Sequence, residues 1–88
     1  MKYHTLLRRA IEKKGISLTQ VSFRLAKKDI CLDKSVLSKL QNGKLPPARD
    51  EINIALAEIL EIDVNQFRLA AAKEIIPKSL FELIKSAG

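Results

Sequence analysis

Apolar residues recur along this chain at the three-to-four-residue spacing of helices, and no stretch alternates with the period of a strand. In residues 3–14, Leu6, Leu7, Ala10 and Ile11 form one stripe among Arg8, Arg9, Glu12, Lys13 and Lys14. Gly15 suits the left-handed turn that closes such a helix. A second helix opens at Ser17-Leu18-Thr19-Gln20, where Ser17 and Gln20 have capping-box spacing and Thr19 is an equally good N-cap. Val21, Leu25 and Phe23 supply its apolar residues, Ala26 lets a neighbouring helix come close, and Lys27 and Lys28 occupy a last turn where cations suit the dipole. A connector, Asp29-Ile30-Cys31-Leu32, leads to Asp33 as N-cap of a third helix over 34–42. Val36, Leu37 and Leu40 are its apolar side, and Lys34, Ser35, Ser38, Lys39 and Asn42 its polar side. Gly43 ends it, and Lys44-Leu45-Pro46-Pro47 forbids continuation. A fourth helix spans 48–61 with Ile52, Ala55, Leu56, Ile59 and Leu60 as its stripe and Asp50 and Glu51 in its first turn. Asp63, three residues before Gln66, caps a fifth helix over 64–76, lined by Val64, Phe67, Ala71 and Ile75. Pro77 breaks it before a short amphipathic segment, 78–86, carrying Leu80, Phe81, Leu83 and Ile84.

The totals narrow this picture. A chain of 88 residues is one domain by length, read as residues 1–76 with a helical extension over 77–88. Its composition, 47% apolar and 30% charged, is that of a globular protein, and with 5% aromatics the core has to come from aliphatic side chains. No apolar run nears the ~20 residues of a membrane span, so no membrane partner is expected. The opening Met-Lys-Tyr-His does not read as a signal peptide, and the expected location is cytoplasmic. A single cysteine, Cys31, allows no internal disulfide framework and no zinc-finger site, and reads as a small packing residue. Residues 1–49 hold twelve Lys/Arg against three Asp/Glu, whereas residues 50–88 hold four against seven. The basic half is suited to a polyanion, and the acidic half to packing or self-association. Catalysis is not expected, and neither is a cofactor or metal. His4 stands alone near one end and reads as surface, there is no glycine-rich phosphate loop, and no carboxylate pair is set among apolar residues.

Helices two and three are too short to stand alone and have to pack on helices one, four and five. Two short helices with a tight connector inside a small helical domain make a helix-turn-helix, whose second helix can lie in the DNA major groove. The segments Leu18-Thr19-Gln20, Leu25-Ala26-Lys27-Lys28 and Ser35-Val36-Leu37-Ser38-Lys39-Leu40-Gln41-Asn42-Gly43-Lys44-Leu45-Pro46-Pro47 carry a family likeness. With Leu56-Ala57-Glu58-Ile59-Leu60-Glu61-Ile62-Asp63 they resemble the phage repressor/Cro family, also called the xenobiotic-response-element family, across residues 4–70. The run from Leu37 to Pro47 is the most specific part. Three features depart from the pattern: one extra residue between Ala26 and Ser38, Asp29 in place of the usual turn glycine, and Gln41 where glutamate is frequent. Asp tolerates the left-handed conformation, so the turn remains feasible.

The resemblance implies an all-α, compact, five- to six-helix lambda-repressor-like domain with a helix-turn-helix. It implies a sequence-specific regulator of transcription, a repressor of prophage or mobile-element type, whose partner is double-stranded DNA. By position, Thr19 and Gln20 would meet phosphate, with Gln20 in reach of a base, and Asn42 and Lys44 would hold the next phosphates. Lys34, Ser35, Val36, Ser38 and Lys39 would face the groove, the lysines toward guanine and Val36 toward a thymine methyl. Plainer roles stand beside these. Ser35 could serve the start of its own helix, Ser38 could bond its own backbone, and Val36 could be core. Leu37 and Leu40 are core, Arg8 and Arg9 read as solvated surface, and Lys13, Lys14, Lys27 and Lys28 as general positive field. One short helix covers few base pairs, so a homodimer on two half-sites is expected. Phe67, Leu69, Phe81, Leu83 and Ile84 either form the dimer surface or close the core. No small-molecule domain fits in this length, so a signal would arrive through a regulatory protein partner or through abundance. The rival reading is a protein-interaction module, antirepressor or antitoxin-like, because fold alone does not oblige DNA binding. RNA is disfavoured by the lack of an aromatic stacking platform.

Overall fold

Tyr3 and Phe67 are the two largest fully buried side chains, and their rings stack with centroids 4.6 Å apart. Around this pair the computed structural model, which describes residues 1–87, gathers the chain as helices; the side chains at 78, 81 and 85–87 lie outside that description. The helices are α1 (Tyr3–Lys14), α2 (Leu18–Ala26), α3 (Lys34–Gln41), α4 (Asp50–Leu60), α5 (Val64–Ile75) and α6 (Lys78–Ala87). There is no strand among the described residues, so the domain is all-α. None of these helices is long and apolar enough to cross a membrane.

α4 is apolar on most of its circumference and takes the centre. Ile52, Ala55, Leu56, Ala57, Ile59 and Leu60 are all buried, and α4 packs on α1, α2 and α5. Leu7 and Ile11 of α1, Val21 and Leu25 of α2, and Leu37 and Leu40 of α3 complete the core. The expected stripe of α1 lacked Tyr3, which proves to be its deepest anchor along with Leu7. Tyr3 Oη donates to Asn53 Oδ1 at 2.6 Å, and Asn53 Nδ2 donates to the Ala48 carbonyl at 2.8 Å. The Tyr3 backbone N–H donates to Glu74 Oε2 at 2.8 Å, so one residue ties α1 to both α4 and α5. Asn53 also explains why α4 begins at Asp50 and not at 48. Its amide holds the Ala48 carbonyl outside the helix, and Arg49 is the extended N-cap.

Several helix ends form as the sequence predicts. Ser17 and Gln20 make the full capping box, which leaves Thr19 inside α2 and not at its cap. Asp63 accepts from the Gln66 N–H at 2.9 Å. Asp29 takes the left-handed conformation with φ 62°. Its N–H donates to Ala26 O and that of Ile30 to Leu25 O, both at 3.0 Å, which is a Schellman closure.

Other expectations are corrected. The helical run of α2 stops at Ala26, so the connector is residues 27–33 and not 29–32, with Lys27 and Lys28 in the closing turn. Ala26 is exposed, because the neighbouring helices meet α2 through Val21 and Leu25. Phe23 is 63% exposed on the outer face of α2, with Lys27 Nζ 5.0 Å from its ring centroid. Ile75 is exposed, while Ala70 joins Phe67 and Ala71 in the core instead. Of the residues read as dimer surface or core closure, Phe67 is core, whereas Leu69, Leu83 and Ile84 are exposed. The side chain of Phe81 lies outside the described residues.

Burial pushes the Tyr3 phenol from 10.0 up to about 12, with the Glu74 carboxylate adding to the rise. The folded state therefore holds this proton more tightly than the unfolded chain. That contribution is complete below pH 10 and disappears as pH rises toward 12, by about 2–3 kcal/mol. Tyr3→Phe is expected to remove this alkaline dependence. It also strands the Asn53 carbonyl in the core, which costs about 1–3 kcal/mol at neutral pH. Urea unfolding of both proteins between neutral pH and pH 11.5 checks each part.

Candidate nucleic-acid interface

α3 is held by two helices. Its Leu37 and Leu40 are buried against α1 and α2, and Val36 is half-buried against the same core. Helical geometry then turns Lys34, Ser35 and Lys39 outward, with Ser38 half-buried beside them. Val36 is thus shared between core and surface.

The start of α3 differs from the expected cap. Asp33 stands at the N-cap position, but its side chain makes no capping bond to the helix backbone. Its carboxylate instead accepts from Ser35 Oγ at 2.8 Å, a bond that holds the Asp33 carboxyl below the usual carboxylate range. The Ser35 hydroxyl is therefore engaged at the helix start. Upstream, Ser22 Oγ donates to the Leu32 carbonyl at 2.6 Å and pins the connector to α2 just before α3 begins. Nothing in the sequence pattern marks Ser22 for this, since its partner is a backbone atom across the turn.

The end of α3 is more elaborate. Gly43 is left-handed at φ 71°, its N–H donates to Leu40 O at 3.3 Å, and the Lys44 N–H donates to Lys39 O at 2.8 Å. Arg8 of α1, read from sequence as solvated surface, reaches across to this end. Its Nη2 donates to the Gln41 carbonyl and to Asn42 Oδ1, each at 3.3 Å. Asn42 Nδ2 faces Ser38 Oγ at 3.5 Å, so Ser38 meets a side chain and not its own backbone. His4, also expected at the surface, is half-buried against Gly43.

At the start of α2, Thr19 and Gln20 are exposed. Gln20 Oε1 accepts from the Ser17 N–H at 3.1 Å, which leaves its amide N–H₂ group for an outside partner. Lys14 pairs with Glu61, Lys28 with Glu58 at 2.9 Å, and Arg68 with Asp50 through two bonds of 2.8 Å. Lys34, Lys39 and Lys44 make no such pair among the described residues, so positive charge stands on and just beyond α3, with the Asp33 carboxylate beside Lys34. The expected groove residues Lys34, Ser35, Val36, Ser38 and Lys39 thus share one helix, with Asn42 and Lys44 at its far end. Among the described residues no group of three or more His, Cys, Asp or Glu is placed to hold a metal ion.

A Cβ at position 43 would stand 3.2 Å from His4 Nδ1 and would also be strained by the left-handed backbone. Gly43→Ala is expected to cost about 1–2 kcal/mol in urea unfolding. In a His4→Ala background the steric share disappears and the backbone share remains, so the double-mutant cycle is expected to show coupling.

Compared with protein-family models, curated proteins and solved structures, the chain matches none.

Proposed function

We propose that this domain binds double-stranded DNA through α3 and acts as a transcriptional regulator in the cytoplasm, with α2 and α3 working as a helix-turn-helix. The observation that carries this reading is the unpaired Lys34 and Lys39 on the outward face of a helix whose opposite face, Leu37 and Leu40, is locked in the core. A rigid helix with protruding cations and small hydroxyl side chains suits a groove lined by phosphates and base edges. Thr19 and Gln20 would contact backbone at one side, and Asn42 and Lys44 at the other. Repression is the favoured direction, by likeness to the phage repressor/Cro family, and a homodimer would let two short helices read two half-sites.

The exposed Phe23 on α2 favours a second reading, a protein-interaction module on the same scaffold. Fluorescence anisotropy with unrelated duplex and with the DNA upstream of the coding sequence, across a salt series, separates the two. DNA binding predicts affinity that falls steeply with salt and a tighter site upstream. Lys39→Ala is then expected to weaken the tight site by about 1–3 kcal/mol and unrelated duplex by less. A folded protein that binds neither duplex at low salt would sink the DNA reading and direct the search to a protein partner.

A further inference from the structure

Arg8 is tethered in a way that a solvated arginine is not. Glu12 lies one turn further along α1, the spacing of an ordinary helix-surface ion pair, yet Arg8 makes no bond to it. The guanidinium turns instead to the end of α3, where a single nitrogen, Nη2, holds both the Gln41 carbonyl and Asn42 Oδ1. A guanidinium has five N–H donors in a fixed planar fork. The Nη1 and Nε groups therefore remain uncommitted, and the residue is exposed.

The place matters as much as the tether. The end of α3 carries the negative pole of the helix, which by itself repels an anion. The Schellman closure has already used the Gly43 and Lys44 N–H groups, so the backbone offers no anion-binding donors there. Arg8 brings a full positive charge to this end, on the Asn42 amide, two residues before the exposed Lys44, whose backbone N–H closes the same helix end. We infer that Arg8, Asn42 and Lys44 form a phosphodiester clamp built from α1 and the α3 terminus. In it Arg8 both positions the end of α3 and contacts a DNA backbone phosphate. This rests on the DNA-binding reading and extends the interface to a helix outside the α2–α3 pair. Because two bonds already hold the guanidinium, little side-chain freedom is given up on binding, and a planar fork suits phosphate oxygens.

The test is the salt dependence of binding to a 20-base-pair duplex by fluorescence anisotropy, for the wild-type chain and for Arg8→Gln, Arg8→Lys and Lys44→Gln. Removing one cation that neutralises a phosphate is expected to flatten the slope of log affinity against log salt by about 0.9. Arg8→Gln and Lys44→Gln are each expected to show that change, while Arg8→Lys, which keeps the charge, retains the wild-type slope. Thermal melts confirm folding, and Arg8→Met replaces Arg8→Gln if the latter melts below the assay temperature. A wild-type slope in the folded charge-removing variant, with the wild-type protein itself binding in a salt-dependent way, overturns the clamp and leaves the DNA reading standing. Failure of the wild-type protein to bind any duplex overturns the DNA reading itself, and the clamp with it.

Discussion

The hydroxyl of Tyr3 donating to Asn53 inside an otherwise apolar core is the contact on which the arrangement of helices depends. Asn53 is the one buried polar residue among the described residues, and both ends of its amide are satisfied, by Tyr3 and by the Ala48 carbonyl. A buried amide without partners would cost more than the bonds contribute, so the pairing is an obligation and not a decoration. It sets where α4 begins, draws the proline-bearing segment before α4 onto the core, and orients the start of α1. The stacked Phe67 ring and the Glu74 carboxylate then fix α5 on the same residue.

With α1, α4 and α5 joined this way, the two short helices have a surface to pack on. Neither α2, at nine residues, nor α3, at eight, could hold helical structure alone in water. Each presents two buried side chains to the core, and each is closed by local backbone bonds at a left-handed residue, Asp29 or Gly43. Ser22 and Arg8 add bonds at the two ends of α3, from α2 and α1 respectively. The outward face of α3 is in consequence held by parts of the chain that carry none of its own chemistry.

Charge is distributed to match. The pairs Lys14–Glu61, Lys28–Glu58 and Arg68–Asp50 neutralise basic residues around α4 and α5. These exposed pairs add little stability. Lys34, Lys39 and Lys44 have no such pair among the described residues, and neither do Arg9, Lys13, Arg24 and Lys27 on α1 and α2. Sequence counting located the excess in the first half of the chain, and in that half only Lys14, Lys28 and Arg49 are ion-paired among the described residues.

Much was legible in the amino-acid sequence alone. The number and order of helices, the left-handed turn at Asp29, the capping box at Ser17 and Gln20, and the burial of Leu37 and Leu40 depend on neighbours within about one helical turn. Such patterns are written in a contiguous stretch of chain. The outward face of α3 follows from the same periodicity. What only the tertiary structure decided are the contacts between residues far apart in sequence. Tyr3 meets Asn53 and Phe67, Arg8 meets the end of α3, and His4 lies under Gly43. Read locally, Tyr3, His4 and Arg8 are an unremarked aromatic and two surface side chains, because nothing in their own turn of helix names a partner 33 to 64 residues away. Exposure of Phe23, Ala26 and Ile75 was decided in the same way. An apolar residue is buried only if another helix comes to cover it, and where the helices cross is a property of the whole fold.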